Sequence, residues 1–403
     1  MKPSLNTSAA ALTVLLLISG CASHQTNPQL SIAATGQVVS EAESAARYQL
    51  NPEWWTVYQD AKLNALITQA LDNNIDLKQA AINVNKALYQ ANILGANLVP
   101  SYNAGVSADT SRNLKNGESN NSFSSQLGLS YELDLWRKLS ATADAQVWTY
   151  QASQQDLAAS RLSLINNVAD AYFNIAYLNE AIRLNQESRK RYQEIHRIAQ
   201  AKYQQGKVSS AEPTQSEQSL LSAENNLLAL QTSRTEAEQT LRNLLNLSPN
   251  QAMAADPAGF SLAKPIQPDL NVPISVLANR PDLRAAEARL QSASQSLTAQ
   301  QRSWYPTITL GASLGATSDK ASNLFNIPML GGSVKVNLPF LNWQTLKCEN
   351  KTAEANFNSA RLSFEQTLTT ALNEVATNYQ QYRQAEASLA NLERKYQLDQ
   401  KNS

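Results

Sequence analysis

The chain is poor in the residues that most catalytic chemistry uses. Of 403 residues only two are histidine, His24 and His196, and two are cysteine, Cys21 and Cys348. That excludes a disulfide framework or thiolate metal centre and leaves little material for a serine or cysteine triad. There is no P-loop, dinucleotide glycine fingerprint or HExxH, so no catalytic residue, metal or cofactor is expected. Glycine is scarce as well, 12 in all against an ordinary share of ~7%, which in an alanine-rich chain points to helix. The 33 basic and 33 acidic side chains cancel without a long run of either sign, so no nucleic acid or strongly charged partner is indicated. Beyond the N-terminus no apolar run approaches the ~20 residues of a membrane helix, so a bilayer would have to be crossed by strands.

What is present begins with Lys2, an apolar segment from Ala9 to Ile18, and Ile18-Ser19-Gly20-Cys21. The last four residues resemble a bacterial lipobox. Residues 1–20 are read as a signal peptide and Cys21 as the lipidation site, an ordinary signal sequence or anchor ending in cysteine being the alternative. Resemblance to lipoproteins further implies, from Ala22 after the cysteine, sorting to the outer membrane. Residues 21–56 show no periodicity and read as a tether behind the lipid.

The rest of the chain is a duplication. Leu71, Asn73, Asp76, Leu77, Ala80, Ala87, Pro100 and Gly105 recur without a gap 206 residues later, as Leu277, Asn279, Asp282, Leu283, Ala286, Ala293, Pro306 and Gly311. In the first copy, helices are expected over 57–99. Leu77, Ala80, Val84, Ala87, Ala91, Leu94 and Leu98 form a seven-residue repeat whose alanines allow close helix approach. At Pro100 the period changes from helix to strand. Tyr102, Ala104, Val106 and Ala108 alternate with polar residues and Gly105, and Phe123, Leu127, Leu129, Tyr131, Leu133 and Leu135 follow a polar turn, which predicts a first β-hairpin over 100–135. The second copy predicts a helix over 280–305 and a second hairpin over 306–340, with Gly331-Gly332 read as the turn leading into its last strand.

From Leu129 to Gln205 there is neither glycine nor proline, so 136–247 are read as a long helical hairpin. It reverses at Gly206, where glycine tolerates the left-handed conformation, with Ser209 or Ser210 available to cap the return helix. Residues 248–279 form a proline-rich linker, and 341–403 an incomplete second repeat. There Val168, Ala169 and Tyr172 recur at an offset of 207 as Val375, Ala376 and Tyr379. The mirrored return helix would fall beyond position 403, so the expectation is of a fragment or truncated product, defective if it stands alone.

Together these patterns resemble the TolC family of outer-membrane efflux channels, and its lipidated NodT-like branch most closely. The carriers are Leu277-Ala278-Asn279-Arg280-Pro281-Asp282-Leu283-Arg284-Ala285-Ala286-Glu287, with Trp54, Asp60, Leu63, Leu66, Asn74 and Asp76, and the tip residues Tyr203, Gly206 and Ser209. The resemblance implies an α+β, mostly helical fold: a duplicated helix-strand-strand-helix unit giving four strands per chain to a trimeric 12-stranded barrel on a long periplasmic α-helical barrel. It implies a homotrimer in outer-membrane lipid, meeting a periplasmic adaptor protein and an inner-membrane pump. The implied role is a passive exit duct for small molecules such as drugs.

The residues alone reach part of this. Four strands cannot close a barrel, and open edges are not tolerated in lipid, so membrane strands would force oligomerisation; three copies keep a lumen open where two would fill it. Asn103, Ser107, Lys335 and Asn337 are the lumen-facing candidates, and Tyr203, Gly206, Lys207 and Ser209 the adaptor-contact candidates, a plain helix turn being the alternative for the latter. Trp136, Trp304 and Trp343 fall near helix-to-strand junctions and suit an interfacial belt. His196 is expected on a helix surface among Arg191, Glu194 and Arg197, and Cys348 as a small packing residue. The competing readings are a non-conducting lipid-anchored coiled-coil scaffold and a duct for protein secretion.

Overall fold

The computed structural model describes residues 53–257, 274–326 and 329–402. Cys21, the signal segment, nearly all of the tether and the middle of the proline-rich linker lie outside them.

A 3-10 turn at Trp54–Tyr58 leads into helix α1, Ala61–Asn73, and then α2, Ile75–Gly95. The side chain of Asp60 caps α1 by accepting from Lys62 N at 2.9 Å and Leu63 N at 3.2 Å. The buried Asn74 caps α2 through Leu77 N at 2.9 Å. Along α2 and the following 3-10 turn, Ala96–Leu98, the seam from Leu77 to Leu98 is the inward face, with Ala87 and Ala91 buried, while Ile75, Ile82, Tyr89 and Ile93 stay exposed on the opposite side.

Strands β1, Ser101–Arg112, and β2, Ser119–Leu133, form the first hairpin. Helix α3, Lys138–Gln204, and helix α4, Ala211–Leu244, follow as a helical hairpin. The second copy comprises α5, Pro281–Arg302, β3, Thr307–Ser318, β4, Met329–Asn337, and α6, Trp343–Asn402. Among the described residues the four strands make one antiparallel sheet in the order β1-β2-β3-β4.

At 67 residues and ~1.5 Å each, α3 is about 100 Å long. It is the spine of the molecule, packing on α1, α2, α4 and α5, while α6 lies along α5. Small residues line the α3–α5 seam, with Ala141, Ala145, Ala152, Ala285, Ala288 and Ala299 all buried. Ser292 Oγ donates to Ala145 O at 2.8 Å across it, the approach that small side chains permit.

The main core sits midway along α3. Leu164, Ile165, Val168, Tyr172, Ile175 and Leu178 meet Trp55, Leu63, Leu66 and Ile67 on one side and Leu241 and Leu245 on the other. Tyr172 hydroxyl donates to Asp60 Oδ2, tying the α1 cap to the spine. Burial, then the hydrogen bond and charge of Asp60, push the Tyr172 phenol well above its ordinary range.

Several sequence expectations need correction. Gly331 and Gly332 are not a turn but lie inside β4, opposite Ser313 and Ala312. A Cβ at Gly331 would meet Ser313 Oγ at 3.0 Å, so this glycine makes room for a cross-strand hydroxyl. Leu338 and Phe340 follow β4, the latter in a 3-10 turn over Pro339–Asn342. The return helix ends at Leu244, short of Leu247. Cys348 is exposed rather than packed. His196 is half-buried against the return helix, its Nδ1 3.0 Å from Ser216 Oγ, while Arg197 and Glu194 pair with each other on the surface.

Candidate functional site

Two places concentrate the features of a duct: the sheet and the tip of the α3–α4 hairpin. In the sheet, strand register sorts side chains into two faces that run across all four strands. Tyr102 lies opposite Leu129, which lies opposite Ala312, which lies opposite Gly332. The neighbouring row runs Ala104, Leu127, Leu314 and Leu330. Because strand side chains alternate, this one face gathers Tyr102, Val106, Leu127, Leu310, Leu314, Leu330, Val334 and Val336, all of them exposed. Ser125 interrupts it between Val106 and Ala316, and Thr110, Asn121 and Arg112 lie at its far end, but an exposed, mainly apolar face of this extent suits lipid or another apolar partner.

The other face is polar. Asn103 lies opposite Gly128, Ser107 opposite Ser124, Lys335 opposite Thr309 and Asn337 opposite Thr307. All four lumen-facing candidates therefore share it. Asn103, Gly128, Ser313 and Gly331 alternate bulk and space across the strands, and a Cβ at Gly128 would run into Asn103 Oδ1. A Cβ at Gly311 would meet Ser333 Oγ at 2.5 Å in the same way. Ser107 Oγ and Ser124 Oγ are 2.8 Å apart. The charged residues of this face are Asp109, Glu132 and Lys335, which are of mixed sign and form no ring of one charge.

Where the sheet meets the helices, Asp134 organises the junction. Its carboxylate accepts from Leu139 N and Ser140 N, both at 2.8 Å, satisfying free amides at the start of α3. Arg137 takes the left-handed conformation at φ 57° in the intervening turn. Trp136 stacks on Tyr305 with centroids 4.9 Å apart and donates to Pro306 O at 2.8 Å, joining the two copies at one level. Exposed Trp136, Tyr305, Phe340 and Trp343 with half-buried Trp304 give this level an aromatic band. Sequence reading missed Asp134, because a carboxylate bonded five and six residues ahead does not have the spacing of an ordinary N-cap.

At the far end, Gly206 has φ +68°. Gly206 N donates to Tyr203 O at 2.9 Å, and Lys207 N reaches back to Lys202 O at 2.9 Å, the 6→1 bond of a Schellman ending. Tyr203, Gly206, Lys207 and Ser209 are brought together on this tip, all exposed. Ser210 occupies the cap position of α4 without a side-chain cap bond, because its φ −62° and ψ −16° are already helical and the capping hydroxyl needs extended backbone. Ser209 contributes its carbonyl instead, 3.3 Å from Glu212 N.

The Leu277 to Glu287 motif works as a clamp between α5 and α6. Arg280 pairs with Asp282 at 2.7 Å and with Glu374 at 2.8 Å. Arg284 Nη2 donates to Asn279 Oδ1 at 2.8 Å. The Arg280 hydrogen bond, acting against partial burial, holds the Asp282 carboxyl below the usual aspartate range.

The family model described as outer membrane efflux protein matches residues 66–247 and 272–400. The toxin and drug export protein A of Aggregatibacter actinomycetemcomitans is 41% identical over 391 residues, covering 97% of this chain and 85% of that protein. The Campylobacter jejuni CmeC outer membrane channel superposes with a TM-score of 0.71 at 27% identity, over 80% of this chain and 71% of that one. The outer-membrane channel OprN shares the fold with a TM-score of 0.79 at 20% identity, over 89% of this chain and 83% of that one.

Proposed function

The chain belongs to the outer membrane efflux protein family, and from that premise we propose how its parts divide the work of export. Three copies close their sheets into one 12-stranded barrel, the apolar face against lipid and the face of Asn103, Ser107, Lys335 and Asn337 against a water-filled lumen. The α3–α4 hairpins and α6 continue the lumen into the periplasm. Lipid on Cys21 adds an anchor. Tyr203, Gly206, Lys207 and Ser209 receive an adaptor protein, which couples the duct to an inner-membrane pump.

The observation that carries this reading is the sheet: four strands, one face mainly apolar and the other mainly polar, and two edges unpaired among the described residues, mounted on a helix about 100 Å long. A sheet with unpaired edges is unstable in lipid until another strand covers each one. Transport through such a duct is passive, so solute moves along the gradient that the pump maintains. A lumen wall of serine, asparagine and glycine with mixed charge suits varied small molecules, drugs included, better than one ion.

The test is insertion and conduction by the whole protein. Carbonate-resistant outer-membrane association, a heat-modifiable oligomer and ion-conducting steps in planar bilayers are expected. A carbonate-extractable protein held only by its lipid would overturn the channel and leave the scaffold.

A further inference from the structure

Among the described residues the sheet ends in two unpaired edges, β1 and β4, and the duplication states how they should meet. Ser101 lies opposite Ser130 in the first hairpin, and Thr307, the residue 206 beyond Ser101, lies opposite Asn337 in the second. Asn337 is therefore the register equivalent of Ser130, Val336 of Leu129, Lys335 of Gly128 and Ser333 of Gln126. The joint between the two hairpins is known: Leu129 lies opposite Ala312, Gly128 opposite Ser313 and Gln126 opposite Gly315. Those three β3 residues are in turn the second-copy equivalents of Val106, Ser107 and Asp109.

We propose that β4 of one copy pairs antiparallel with β1 of the next in this same register, placing Val336 opposite Val106 and Lys335 opposite Ser107, with Asp109 of the neighbouring copy on the diagonal within reach of the Lys335 ammonium. The inference rests on the shared barrel proposed above. All strands of a closed barrel share one tilt, so the stagger must accumulate evenly; the joint between copies then repeats the joint within a copy. Face matching agrees. Val336 and Val106 are both exposed apolar residues, and Val334 would lie opposite Ala108. A slip of one residue would turn the apolar face of one copy toward the lumen face of the next. A slip of two keeps the faces but breaks the even stagger.

The pairing also gives Lys335 a counter-ion. Within one copy it has no ion-pair partner among the described residues, and Thr309 lies opposite it on β3. Asp109 accepts from Ser107 Oγ at 3.2 Å and has no ion-pair partner among the described residues. Across the seam the two charges sit on the same face, at the diagonal spacing that a lysine side chain spans.

Paired cysteines test the register in the full-length protein in native membranes, with Cys348→Ser as background. Val106 and Val336 of one chain are separated by β2 and β3, about 14 Å at ~4.8 Å per strand, too far for a disulfide. A covalent ladder under mild oxidation thus reports contact between copies. Val106→Cys with Val336→Cys, and independently Ser107→Cys with Lys335→Cys, should each give dimers and trimers on non-reducing gels. The slipped pair Val106→Cys with Val334→Cys should give at least tenfold less. A ladder through the slipped pair alone would overturn the register and leave the barrel. No ladder from any pair in a carbonate-resistant protein would overturn both. For the ion pair, Lys335→Asp should lower the temperature at which the oligomer dissociates in detergent, and adding Asp109→Lys should restore it; failure to restore removes the ion pair from the proposal.

Discussion

The two copies of the duplicated unit carry the same residues in different surroundings. Val168 and Tyr172 on α3 are 0% and 5% exposed, while their counterparts Val375 and Tyr379 on α6 are 50% and 37% exposed. Around the first pair stand α1, the 3-10 turn at Trp54 and the return helix α4. Among the described residues, no comparable set surrounds the second. Burial is therefore a property of the neighbours that a helix recruits, and the repeated valine and tyrosine mark a face that is competent for packing in both copies. The ties differ as well. Asn74 donates from Nδ2 to Leu244 O at 3.0 Å, linking α2 to α4 through a neutral buried amide. Arg280, its equivalent 206 residues on, links α5 to α6 through two carboxylates.

The strongest way to break this contrast is one substitution made twice. Val168→Ala removes buried methyl groups and should cost about 2 kcal/mol of thermal stability, whereas Val375→Ala should stay within about 0.5 kcal/mol in the 403-residue chain. Equal losses in denaturation scans would mean that α6 is covered after all. Next comes the hydroxyl. Tyr172→Phe deletes a donor to Asp60 and should cost about 1.5 kcal/mol, with Tyr379→Phe near zero. Thermal melts at neutral pH would show no difference between the two if the Asp60 contact were incidental.

The smallest effect separates the ties by pH. Asp282 is held below its ordinary carboxyl value by Arg280, so its contribution is complete above the normal aspartate range of about 3.9 and is lost as pH falls through the depressed value. Arg280→Ala should cost about 0.5 kcal/mol at neutral pH, the partners being partly exposed, and the difference from the parent should vanish in acid. Asn74→Ala should cost somewhat more, about 1 kcal/mol, at every pH, because no proton is involved. Stability curves of the two variants with the same acid slope would refute this assignment.

Much of the architecture was legible because it is written in local periods. The heptad from Leu77 to Leu98, the alternation after Pro100 and Pro306, and the left-handed Gly206 each depend on residues a few positions apart. What escaped depends on partners distant in sequence or on register. Gly331 looks like a turn glycine until Ser313 is placed opposite it. His196 looks like a surface residue until α4 folds back and brings Ser216 against it. Asp134 carries no signature because the left-handed Arg137 bends the chain before the amides that it serves. The face shared by Asn103, Ser107, Lys335 and Asn337 could be guessed from alternation within each strand. That it is one face across β1 and β4 required the pairing.

The spine helix has a mechanical corollary. From its core contact at Tyr172 to its end at Gln204, α3 extends about 48 Å with no glycine or proline at which to bend. It is a stiff lever with its fulcrum in the core, so a pivot of about 5° there would swing the far end by roughly 4 Å. A displacement of atomic width at the tip thus requires no unfolding of the helix, only a slight repacking where Asp60 grips Tyr172.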